Sequence, residues 1–111
     1  MYLKYAKQEE TLIVTFLGEL DHHSAEEVRV KIDDRIDRDN IKKLVLNFEG
    51  VTFMDSSGIG VVVGRLRKMQ AKKGALCITD VNRTVNKVFE LSGLYKIIKA
   101  YDSVEQAIIN I

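Results

Sequence analysis

Asp55-Ser56-Ser57-Gly58 is the part of this chain with the residue types for chemistry: a carboxylate and two hydroxyls in consecutive positions. A serine there could be a nucleophile if a base activated it. The adjacent pair His22-His23 supplies bases only if its loop lies beside this turn, and no nucleophile elbow surrounds either serine. Asp55 could accept a phosphoryl group, as in a receiver domain. That chemistry needs a magnesium ion held by further acids at a strand end. Asp33-Asp34 fall inside a helical pattern, and the first strand ends at Ala6-Lys7, so no such cradle is legible. Zinc normally takes three or four spaced ligands, and neighbouring histidines without a nearby cysteine do not provide them. No nucleotide-binding glycine signature occurs. These absences point to no cofactor, no metal and no catalysis. What remains is a serine at the start of a helix, either as a plain cap or as a modifiable hydroxyl. A phosphate there would meet free backbone donors and the positive end of the helix dipole. It would add nearly two negative charges. Chemistry alone does not choose between cap and switch.

The elements around this turn follow from periodicity. Ile41 to Phe48 is an apolar strand entering it. Ile59, Val62, Val63, Leu66 and Met69 follow at helical spacing. Gly60 and Gly64 fall outside that arc, roughly in line with Ser56 and Ser57, and Val61 points the same broad way. An interior glycine costs a helix about 1 kcal/mol against alanine. Two of them four apart suggest a flat surface that something approaches closely. Lys68, Lys72, Lys73 and then Gly74 mark the helix end.

Upstream, Tyr2 to Ala6 and Thr11 to Leu17 alternate as an antiparallel hairpin. Ser24 with Glu27 reads as a capping box opening a helix that buries Ala25, Val28, Ile32 and Ile36, with Asp33, Asp34, Arg35, Asp37, Arg38 and Asp39 on its solvated side and at its end. Downstream, Ala75 to Thr79 is a strand, Asp80 caps a helix stopped by Gly93, and a short strand surrounds Ile97-Ile98. Asp102-Ser103 opens a last helix with Val104, Ala107, Ile108 and Ile111 buried. Strands alternating with helices imply parallel pairing through right-handed crossovers. The expectation is one α/β domain over residues 1–111, a mixed sheet flanked by about four helices.

Composition limits the partners. The 111 residues are 46% hydrophobic and carry a formal net charge of +1. No strong field points to nucleic acid or a lipid surface. No apolar run approaches a membrane span. The single cysteine, Cys77, lies in an apolar run, which suits a buried thiol in the reducing cytoplasm.

Phe53-Met54-Asp55-Ser56-Ser57-Gly58-Ile59-Gly60 resembles the signature of the STAS domain, the family of bacterial anti-sigma factor antagonists and sulphate-transporter tails. Gly18-Glu19-Leu20-Asp21-His22-His23, Leu46-Asn47-Phe48-Glu49 and Leu91-Ser92-Gly93-Leu94-Tyr95-Lys96-Ile97-Ile98 extend the resemblance along the whole chain. The histidine pair favours the sporulation branch, which acts on the anti-sigma F factor, over the general-stress branch. The resemblance implies that the unphosphorylated chain binds an anti-sigma factor that is also a serine kinase, so freeing the sigma factor. That kinase, using its own ATP, would phosphorylate Ser56, and a serine phosphatase would reverse the step. The resemblance also implies that Asp55 helps place Ser56 and that Asp21 contacts the partner; with Ser57, Gly58 and the glycine side of the helix (Gly60, Val61, Gly64) these make up the expected partner surface.

Overall fold

The alternation in Thr11–Leu20 sends Leu12, Val14 and Phe16 to one side of a strand and Ile13 to the other, and both sides find cover. The computed structural model describes residues 1–111. β1 (Tyr2–Gln8) and β2 (Thr11–Leu20) form a hairpin closed by Glu9-Glu10, with Glu9 at φ 54°. Then come α1 (Ala25–Arg38), β3 (Lys43–Met54), α2 (Ser56–Ala71), β4 (Ala75–Thr79) and α3 (Arg83–Ser92). A 3₁₀ turn (Leu94–Lys96), β5 (Lys99–Tyr101) and α4 (Val104–Asn110) complete the chain. The sheet order is β1-β2-β3-β4-β5, antiparallel in the first pair and parallel thereafter.

Each crossover steps to the next strand in the same direction. Right-handed crossovers must then lay α1, α2 and α3 on one face of the sheet. That face holds the main core, with Leu12, Val14, Phe16, Leu44, Leu46, Phe48, Leu76 and Ile78 from the strands. Phe48 lies between Phe16 and Phe89, at centroid distances of 4.9 and 5.1 Å. The other face carries Ile13, Val45 and Cys77, covered by Ala107, Val104, Ile108 and Ile111 of the α4 segment. Burial pushes the Cys77 thiol up to about 11, so it stays protonated.

Several local expectations change. Ser24 precedes α1 but its side chain caps nothing. Its hydroxyl donates to the Glu19 carbonyl (2.8 Å) and accepts from the Asp21 N–H (3.1 Å), so it is used inside the loop. Asp33 is not on a solvated face. Its Oδ1 lies 2.8 Å from Nε of Arg65, a residue only 5% exposed, and the pair joins α1 to α2. At the end of α2 it is Lys73, at φ 60°, that takes the left-handed position. Gly74 is required for room: a Cβ there would collide with the Lys42 carbonyl oxygen. Asn82, not Asp80, caps α3. Gly93 ends α3 in the left-handed conformation at φ 75°, as expected. Ile97 and Ile98 lie before β5 rather than in it.

Candidate functional site

β3 runs on past Phe48 to Met54, further than its apolar run suggests. It keeps pairing with β2 through two register shifts, one between Thr15 and Leu17 and one between Gly18 and Glu19. Its end delivers Asp55 to the carboxyl edge of the sheet, where ligands of open α/β sheets gather. Asp55 caps α2: Oδ1 accepts from the Ser57 N–H at 2.8 Å. Oδ2 accepts from the His22 N–H at 3.3 Å, and the Asp55 N–H donates to the Leu20 carbonyl at 3.4 Å. These bonds tie the α2 start to the loop after β2.

That loop is organised by Asp21. Its Oδ1 accepts from the N–H groups of His23 (2.9 Å) and Ser24 (3.1 Å). Desolvation is the largest single influence and would raise its pKa, but these two backbone donors, the His23 side chain and the Ser24 hydroxyl together outweigh it and hold the carboxyl below the usual aspartate range. Ser56 is the first residue of α2 and is exposed. Gly60 and Gly64 follow at four-residue spacing on the same side. A Cβ built on either would meet nothing within 4 Å, so no neighbouring loop packs against them.

Residues 2–107 match the family model for the STAS domain. This chain belongs to that family. Its sequence is 42% identical over 92 residues to the anti-sigma F factor antagonist of Paenibacillus polymyxa, covering 83% of this chain and 79% of that one. It is 28% identical to the anti-sigma-B factor antagonist of Staphylococcus aureus, over 79% of this chain and 81% of the other. Among solved structures it resembles the anti-sigma factor antagonist SpoIIAA in its unphosphorylated form, with TM-score 0.76, 33% identity and coverage of 98% and 96%. It also resembles the Bacillus cell fate determinant SpoIIAA in the phosphorylated form, with TM-score 0.75, 36% identity and 96% coverage of both chains.

Within this STAS domain the edge brings together Asp21, Asp55, Ser56 and Ser57, with Gly60 and Gly64 continuing along α2. Two residues assigned to the partner surface lie elsewhere. Val61 is 3% exposed and belongs to the main core. It stands four residues before Arg65, whose Nη1 donates to its carbonyl at 3.2 Å, so it shares the side of α2 that faces α1. Gly58 is buried: a Cβ there would come within 2.8 Å of two Met54 side-chain carbons and 3.1 Å of Leu20 Cγ. Asp55, considered as a phosphoryl acceptor, has both carboxylate oxygens engaged by backbone donors. Nothing in the spacing singled out Arg65 or Asn82, since an arginine in a helix and an asparagine in a loop usually read as surface.

Proposed function

We propose that this STAS domain is an anti-sigma factor antagonist switched by phosphorylation of Ser56. Unphosphorylated, it binds an anti-sigma factor that is also a serine kinase, and so frees the sigma factor. The greater similarity to the anti-sigma F antagonist than to the anti-sigma-B antagonist favours the sporulation factor. The kinase passes the terminal phosphoryl group of its ATP to Ser56 Oγ, which loses its proton. The phosphorylated form then lets go, and a serine phosphatase restores the hydroxyl. The chain is a substrate of both partners rather than an enzyme. A cytoplasmic setting goes with such partners, and no helix is long and apolar enough to cross a membrane.

The observation that carries this reading is the placement of Ser56. It is exposed at the first turn of α2, while its neighbour Asp55 is occupied as the cap. A dianion on Ser56 stands at the positive dipole end of α2, worth about 0.3–1 kcal/mol at an exposed site, while the Ser57 and Gly58 N–H groups already donate to Asp55. Repulsion from Asp55 is of similar small size in water. The fold is therefore indifferent to the phosphate. A partner closing over it must strip its water, which costs several kcal/mol for an unpaired dianion. The test is mass spectrometry of the protein after incubation with the anti-sigma kinase and ATP. One phosphoryl group is expected, on Ser56, and Ser56→Ala should stay unmodified and bound. A phosphate on Ser57, or none at all, overturns the assignment.

A further inference from the structure

β3 is the strand that carries Asp55 and Ser56 to the edge, and its last part has a neighbour on one side only. Its pairing with β4 ends at Asn47↔Thr79. From Phe48 to Met54 it has β2 on one flank and no strand on the other. The same stretch contains a bulge: Phe48 and Glu49 pass where β2 has the single residue Phe16. A bulge bends a strand and leaves main-chain groups without ladder partners.

Asn82, just beyond the end of β4, fills that gap. Its Nδ2 donates to the Val51 carbonyl at 2.8 Å and lies 3.3 Å from those of Phe48 and Glu49. The amide has two hydrogens, so Val51 takes one and the other two carbonyls share the second. Its Oδ1 accepts from the Val85 N–H at 3.0 Å, capping α3. The orientation is fixed by these partners, because the flipped amide would set its oxygen against three carbonyl oxygens. One side chain thus anchors α3 with one end and takes the place of a missing strand with the other.

We infer that Asn82 is the positioning residue of the phosphoswitch: it fixes the bulged end of β3 and thereby the place at which Asp55 and Ser56 meet the partner. The affinity part of this inference rests on the function proposed above; the geometric part does not. A plain capping role makes a different forecast. Aspartate and serine are both good caps, so for a cap alone Asn82→Asp and Asn82→Ser would be close to neutral. For a positioning role both remove the amide donor: aspartate has no donor and sets an anion against the carbonyls, and serine keeps a single O–H on a side chain one atom shorter.

The experiment is amide NMR of the full chain together with titration of the anti-sigma factor. In both variants the Val85 amide should keep its protection, while Ser57 and Gly58 resonances shift. Affinity should fall about tenfold or more in Asn82→Asp and less in Asn82→Ser. If Asn82→Asp fails to fold, Asn82→Ser carries the test. Unmoved Ser57 and Gly58 resonances with unchanged affinity would overturn the inference. If the wild-type chain does not bind the anti-sigma factor, the proposed function fails, and the resonances still decide the role of Asn82.

Discussion

On the inner side of α2, Gly58 lies against Met54 and Leu20, and Val61, Val62, Leu66 and Met69 continue that side into the core. On the outer side, Gly60 and Gly64 face open space in line with Ser56. One helix thus uses glycine in two ways. The inner one makes room for neighbours already present. The outer ones keep a surface low while nothing in the chain covers it. An exposed helical position with no contacts would gain about 1 kcal/mol from alanine. Two such positions left as glycine on the serine side, in a helix otherwise filled with good packing, fit a surface shaped for another molecule.

This contrast can be broken most forcefully by the phosphate itself. Phosphorylation of Ser56 should weaken anti-sigma binding by hundreds to thousands of times, on the order of 3–5 kcal/mol. Melting temperature should move by a few degrees at most. Amide shifts spreading over the whole sheet would show that the outer side is coupled to the core, and the contrast would fail. The next largest effect belongs to the inner side. Gly58→Ala overpacks Met54 and Leu20, where such insertions cost about 1–3 kcal/mol. Its gain in helix propensity is reduced in the first turn. The expected net loss lowers the melting temperature by about 4–8 °C per kcal/mol. An unchanged melt would show that Met54 swings aside without strain.

Gly64→Lys should leave the fold intact and weaken partner binding about tenfold, or about 1.4 kcal/mol. Equal affinity would remove this position from the interface. Gly60→Ala should act in the opposite sense on stability, raising it by up to about 1 kcal/mol in denaturant unfolding. A loss there would mean that the outer side is not open. The smallest effect concerns the loop behind Asp55. The folded state holds the Asp21 carboxyl below its ordinary range. Its contribution is therefore present at neutral pH and lost as pH falls through the folded-state pKa. Asp21→Asn should flatten the acid limb of the stability–pH curve. An unaltered limb would deny the loop carboxylate that role.

The main lines of this molecule were readable because they rest on repeating patterns. Alternation in β1 and β2, apolar runs in β3 and β4, and helical spacing in α1, α2 and α4 all report burial directly. Asp55 and Gly93 were legible because only certain residues suit those helix ends. The failures share a cause. Arg65 is held against α1, an element distant in sequence, by the Asp33 pair, and Val61, one turn before it, is buried in the core; no local period encodes either. Gly74 read as a helix-end signal, but its reason is the Lys42 carbonyl more than thirty positions away. Asp80 and Asn82 are equally good caps on paper. The choice falls to Asn82 because an amide can also donate to the β3 carbonyls, which a carboxylate cannot.

The uneven thickness of the two layers has a practical outcome for the one thiol. Cys77 is 2% exposed, yet its roof is a single seven-residue helix at the end of the chain. The opposite face is shielded by three longer helices. Opening of α4 needs far less surface exposed than global unfolding. An alkylating reagent added to the native protein would then act as a stopwatch for the detachment of α4, running independently of the denaturant midpoint. The same arithmetic makes α4 open more easily than the three helices opposite, on the face that Ser56 does not share.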